Sequence, residues 1–179
     1  MVGFPGEPED EADKIMSLAR ELSLLKKTVS KGAAEIKISV NPFIPKSHTP
    51  LQWIGMKQKE ALQEVKNALY SRATRKIKVE FHDLKQSVLE ASMSRGDRKI
   101  GDVVLSAFRK GATMDSWSDF FNFSIWEEAF SENGLSMEEY AYKTYSFNEV
   151  LPWSHIKTGV RDEYFKEELE ESGLYDRAK

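Results

Sequence analysis

The residues best suited to binding or chemistry stand in a few places along the chain. Gly3-Phe-Pro-Gly-Glu7 is a turn whose two glycines let backbone N–H groups approach a ligand closely, with Glu7 at hand as an acceptor. The same pattern also suits a tight strand-to-helix loop that needs glycine for geometry alone. Lys37 and Ser39 alternate with Ile36, Ile38 and Val40, so they share the opposite face of a strand. His48 and Trp53 lie in a stretch braced by Pro42, Pro45 and Pro50, and His155 follows Leu151-Pro-Trp153. Each histidine is either an acid, base or ligand-binding group or a solvent-facing loop residue. Arg95-Gly-Asp97-Arg98 reads as an ion-paired turn between helices. Arg72, Arg75, Lys76 and Lys78 read as a solvated helix end, with phosphate binding as the other option.

Other residue types are missing, and their absence removes whole classes of chemistry. The 179 residues include no cysteine, so disulfides, thiolate metal sites and a cysteine nucleophile are excluded. The three histidines, His48, His82 and His155, are too scattered to suggest a histidine-rich metal site. A net charge of −3 with both signs interspersed gives no general pull toward nucleic acid or an anionic membrane. No apolar run reaches the roughly 18–20 residues needed to span a bilayer. A signal-peptide pattern is also absent. The expected location is the cytoplasm, where disulfides are rare.

The elements that must hold these residues follow from periodicity. Pro8, then Glu9, Asp10 and Glu11, suit a helix start, since proline needs no N–H there and negative charge favours the positive end of the helix dipole. Ile15, Leu18, Ala19, Leu22, Leu25 and Val29 recur at helical spacing and predict the buried face of that helix. Residues 34–40 alternate with period two and predict a strand. A helix over about 56–72 and a strand at 77–81 follow. Helix-length connections between strands are the signature of parallel βαβ units. A parallel sheet needs cover on both faces, so the missing strands are expected to come from elsewhere. The polar face carrying Glu35, Lys37, Ser39, Lys78 and Glu80 is then either a barrel lumen or an open sheet face in water.

From about residue 83 the pattern turns helical. Helices are predicted around 84–91 and 100–108, a capping box at Ser136-x-x-Glu139, and a last helix over 161–172 stopped by Gly173. Thirteen of the twenty aromatics fall between Trp117 and Phe165, which predicts an aromatic core in this part. The expected domains are therefore 1–82 and 83–179.

Several short sequences together resemble one family. Met1-Val-Gly-Phe-Pro-Gly-Glu7 is similar to the fifth-strand motif of radical S-adenosylmethionine enzymes, written GFPGET in methylthiotransferases. Residues 39–53, SVNPFIPKSHTPLQW, resemble the sixth strand and following loop of the cobalamin-binding branch. Ser94-Arg-Gly-Asp-Arg98, Trp117 with Phe120-Phe-Asn122, and residues 151–160, LPWSHIKTGV, resemble the C-terminal region of an uncharacterised group within it.

The resemblance implies an α/β fold: the C-terminal portion of a (β/α) barrel followed by a mostly helical, aromatic-rich extension. It implies a four-iron cluster on three cysteines, S-adenosylmethionine bound to that cluster, and a 5′-deoxyadenosyl radical in the full-length relative. Met1, Val2, Gly3, Gly6, Glu7, Val40, Asn41 and Pro42 would then face the adenosine. Lys37, Ser39, His48, Trp53, Arg95, Asp97 and His155 would be substrate or loop residues. The chain departs from the pattern in having no cysteine and in placing Pro8 where the motif has threonine. It is therefore expected to bind no cofactor and to be inactive alone. Its expected partner is the N-terminal part of the barrel, on the same or a separate chain, with self-association through an open sheet edge. An autonomous protein- or nucleic-acid-binding module is the alternative.

Overall fold

The computed structural model describes residues 1–178. Helix accounts for 49% of the residues and strand for 7%. The chain divides into two compact units, Met1–Phe43 with Lys57–Leu84, and Ile44–Met56 with Lys85–Lys179.

In the first unit, helix α1 (Glu11–Leu25) precedes strand β1 (Ile36–Val40), and helix α2 (Lys59–Ser71) precedes strand β2 (Ile77–Phe81). The strands pair in parallel, Ile36 opposite Ile77 through Val40 opposite Phe81. Alternation decides which way each side chain points: Ile77 and Val79 are buried, while Lys37, Ser39, Lys78 and Glu80 face water. On that wet face Lys37 pairs with Glu80 at 2.6 Å, and Lys76 with Glu35 at 3.0 Å. Exposed pairs of this kind contribute about 0.2–1 kcal/mol each, so they keep the face soluble more than they stabilise it. The other face is apolar. Leu62 and Leu69 of α2 are fully buried, each worth about 1.5–3 kcal/mol of burial.

Helix α1 corrects an expectation. It rests on Ala12, Met16, Ala19 and Ser23, all buried, while Leu18, Leu22, Leu25 and Val29 are exposed. Small residues allow close approach to the layer beneath, so the buried face is the less apolar one. Ser23 satisfies its hydroxyl by donating to the Ala34 carbonyl at 2.6 Å.

The barrel expectation is also overturned. The sheet has two strands of five residues, and residue 2 adds a single parallel bridge to Pro42 in place of a third strand. The charged face expected as a possible lumen lies open to water. In place of the end of a barrel stands a mostly helical chain with a small parallel sheet.

The second unit is helical: α3 (Leu84–Arg95, opening at the unit boundary), α4 (Ile100–Arg109), α5 (Phe123–Glu132), α6 (Met137–Tyr142), α7 (Asp162–Ser172) and α8 (Leu174–Arg177). Ser136 caps α6 by accepting from the Glu139 N–H at 3.2 Å, as its spacing predicts. Helices α4 and α5 bury Val103 and Ala107 on one side, and Trp126, Ala129 and Phe130 on the other. A separate aromatic core joins Trp53, Ile54, Tyr145, Leu151, Trp153, Phe165 and Leu169. Its rings meet edge-to-face, Trp53 on Phe147 at 5.3 Å and Tyr145 on Trp153 at 6.0 Å, which is the favoured geometry for aromatic quadrupoles. Among the described residues, no helix is long and apolar enough to cross a membrane.

Candidate functional site

The glycine turn and the segment after β1 lie side by side in the first unit. The Val2 N–H donates to the Asn41 carbonyl at 3.0 Å, and the Phe43 N–H donates to the Val2 carbonyl at 2.7 Å. Phe4 and Phe43 stack at 4.4 Å and lock the two segments together. Gly3 is required here. Its φ is +93°, and a Cβ would stand 3.0 Å from Leu62 Cδ2. The Gly3 N–H donates to the Glu7 carboxylate at 2.6 Å, so Glu7 braces its own turn. Val2, Gly3, Val40 and Pro42 are buried, whereas Met1, Gly6 and Asn41 are exposed at this end of the sheet. All eight residues read as adenosine-facing thus belong to one sheet end or to the turn leaving it. Lys37 and Ser39 do not join them, since they lie on the water-facing side of β1.

In the second unit, Arg95 is not part of an ion-paired turn but fully buried at the end of α3. Its guanidinium donates to four backbone carbonyls: Tyr140 at 3.1 Å, Gln52 at 3.2 Å, Ile54 at 2.6 Å, and Lys143. It also lies 5.0 Å from the Tyr145 ring centre. Burial pulls its pKa down to about 10, which leaves it cationic at neutrality. The strands of chain it grips are themselves joined. The Met56 N–H donates to the Ala141 carbonyl at 2.9 Å, and the Tyr145 N–H to the Trp53 carbonyl at 2.7 Å. Arg95 is therefore a clamp across the segments 52–56 and 140–145.

Beside that clamp lies a cleft of about 520 Å³, lined by Asp97, Glu139, Tyr140, Lys143, Glu149 and His155 among others. The Tyr140 hydroxyl donates to Asp97 at 3.2 Å. Burial and then the Asp97 charge push the phenol up to about 12. Lys143 pairs with Glu149, which holds that carboxyl below its usual range, and its ammonium lies 4.7 Å from the Tyr145 ring centre. The structure thus brings together Asp97 and His155, which are far apart in sequence. His48 and Trp53 stand outside the cleft lining. His48 has φ +56°, and its N–H donates to the buried Gln52 side chain at 3.1 Å. The same Gln52 oxygen accepts from the Trp153 indole N–H at 2.6 Å. Gln52 escaped sequence reasoning, because a lone glutamine in a proline-rich loop carries no periodic or motif signal.

A four-iron cluster finds no ligands here. The chain has no cysteine, and among the described residues no group of three His, Cys, Asp or Glu side chains could hold a metal ion. At the sheet end around Val2 and Asn41 the backbone groups of the two segments pair with each other, and the Gly3 N–H is taken by Glu7.

Comparison with known proteins gives one relative to report. No family model matches the chain. It is 24% identical over 139 residues to the uncharacterized protein MJ0966 of Methanocaldococcus jannaschii, covering 71% of this chain and 29% of that protein. The chain therefore spans under a third of the curated relative it matches. No solved structure matches.

Proposed function

We propose that these residues are the C-terminal section of a radical S-adenosylmethionine enzyme and contribute part of its adenosine-binding wall. The observation that carries this reading is the pairing of the two motif segments. Residues 1–7 and 40–43 are separated by a helix and a strand, yet Val2 hydrogen-bonds to Asn41 and Phe43 directly. A site assembled from both motifs needs that adjacency, and the sequence motifs alone do not impose it. The length of the relative supports a larger whole.

In the whole protein the cluster and S-adenosylmethionine would supply a 5′-deoxyadenosyl radical. This section has a narrower part. Its Glu7 fixes the turn, Gly3 lets the turn pack against Leu62, and Met1 and Asn41 present an apolar and an amide surface to the nucleoside.

The test uses the whole protein, reconstituted without oxygen with iron and sulfide and then reduced. It is expected to release 5′-deoxyadenosine from S-adenosylmethionine. An azido-adenosyl analogue should label peptides containing residues 1–7 and 40–43. Absence of cleavage, or labelling confined to other peptides, overturns the proposal.

A further inference from the structure

The cleft beside the Arg95 clamp takes no part in the proposed function, and its walls are unlike. One is a face of α6 with its C-terminal residue, carrying Glu139, Tyr140 and Lys143. The other is the segment 149–155, which presents Val150, Leu151 and Pro152. Asp97, just past α3, joins the α6 wall by accepting from the Tyr140 hydroxyl at 3.2 Å. Three carboxylates against one ammonium leave the lining at −2 with His155 neutral. That ammonium is already engaged, since Lys143 pairs with Glu149 and lies 4.7 Å from the Tyr145 ring centre. Tyr140 gives Asp97 a hydrogen bond and no charge, because burial and then the Asp97 charge raise the phenol to about 12. Among the described residues, Asp97 and Glu139 have no ion-pair partner. The cleft thus holds two uncompensated carboxylates on one wall and aliphatic carbon on the other. Its volume of about 520 Å³ falls within the ~300–1,000 Å³ of small-molecule sites. Val150 is 83% exposed, so its methyl groups are open to contact.

We propose that this cleft binds a small organic cation, with an ammonium head between Asp97 and Glu139 and an aliphatic stem along Val150, Leu151 and Pro152. Carboxylates alone would serve any counterion, and the apolar wall is what selects a cation with a stem. An anion meets the wrong net charge. A bare metal ion finds no group of three ligands among the described residues. The cleft is open, so an ammonium there keeps part of its hydration while the carboxylates replace the rest. Every residue of the site belongs to the second unit, and the inference is independent of the S-adenosylmethionine reading.

The experiment uses the whole protein without iron or sulfide, with isotope-labelled valine methyls and the Val150 signal assigned through Val150→Ile. Methylammonium, pentylammonium, pentanol and pentanoate are titrated at constant ionic strength. Pentylammonium is expected to shift the Val150 methyls saturably and to bind roughly ten-fold more tightly than methylammonium, about twofold for each half-covered methylene. Pentanol and pentanoate lack the positive charge and are expected to leave the signal in place. Asp97→Asn and Glu139→Gln each keep an oxygen where the carboxylate stood, so in the first the Tyr140 hydroxyl retains an acceptor. Each is expected to weaken pentylammonium several-fold. An absent or unsaturable Val150 shift overturns the proposal, as does equal binding of the short and long amines, or pentanol binding as tightly as pentylammonium. These outcomes are read on the unaltered protein, so they stand even where a variant fails to fold. The same head and stem occur in the lysine of a peptide. An acetylated, amidated lysine binding more tightly than pentylammonium would overturn the small-molecule assignment in favour of a peptide side chain.

Discussion

Arg95 directs its donors at Gln52, Ile54, Tyr140 and Lys143, and every acceptor is a backbone carbonyl. A planar fork reaches two segments at once, which an ammonium on a flexible stem does not. Arg95→Met would leave four carbonyls unpaired, those of Gln52 and Ile54 in buried surroundings, at about 1–3 kcal/mol for each buried group left unsatisfied. We expect Arg95→Met to lose about 3 kcal/mol or more, and Arg95→Lys to lose stability as well. Urea denaturation measures this, and an unchanged midpoint for the methionine variant would remove the clamp from the account. Tyr140 offers a pH-dependent counterpart. Its folded pKa of about 12 lies above the ordinary phenol value of 10.0, so the proton is held more tightly in the folded chain. The associated stability is fully present below pH 10.0 and is lost as the pH rises through about 12. Ultraviolet titration should show a late-ionising tyrosine that disappears in Tyr140→Phe. A titration curve unaltered by that substitution would refute the assignment.

At the scale of elements, the segment 53–56 is stitched to 141–145 so closely that side chains are excluded between them. A Cβ on Gly55 would stand 2.1 Å from the Tyr142 carbonyl oxygen, and the Gly55 N–H already donates to Thr144 Oγ1 at 3.1 Å. Gly55→Ala must therefore push backbone from backbone. It is expected to lower the thermal midpoint clearly, whereas Gly101→Ala in α4, with nothing within 4 Å, should not. Calorimetry of the two variants makes the comparison, and equal midpoints would count against the stitch. Much of this architecture was legible beforehand. Both strands showed in the alternation of Ile36, Ile38, Val40 and of Ile77, Val79, Phe81. The N-cap at Ser136 and the stop at Gly173 set helix ends through local chemistry alone. Other features left no local trace. The acceptors of Arg95 are carbonyls 41 to 48 residues away, and any residue type supplies a carbonyl. Helix α1 misled for a different reason. Periodicity finds the most apolar stripe, but the layer beneath α1 accepts alanines and a serine, so the leucines point outward.

For the whole molecule, the motif resemblance and the fold point in different directions. The two motif segments are neighbours through Val2, Asn41 and Phe43, yet the sheet stays at two strands and a bridge, and a charged face lies open to water. Without thiolates the section by itself is expected to retain no iron–sulfur chromophore after reconstitution, and stoichiometric iron with a cluster absorbance would contradict this. The exposed leucines of α1 bear on how the chain behaves in water. In water, uncovered Leu18, Leu22, Leu25 and Val29 form an apolar strip that a second molecule can cover weakly. The wet sheet face, with Lys37 paired to Glu80, resists collapse on that side, so small soluble oligomers are expected in preference to precipitate. Light scattering over a range of concentrations should show the average mass rising. Replacing Leu22 and Leu25 together by glutamate should hold it at the monomer value, since two charges interrupt the apolar strip. If the unaltered chain is monomeric throughout, the strip needs no cover in water. If the double variant associates as readily as the parent, association runs through another surface, and the open edge of the sheet becomes the place to look.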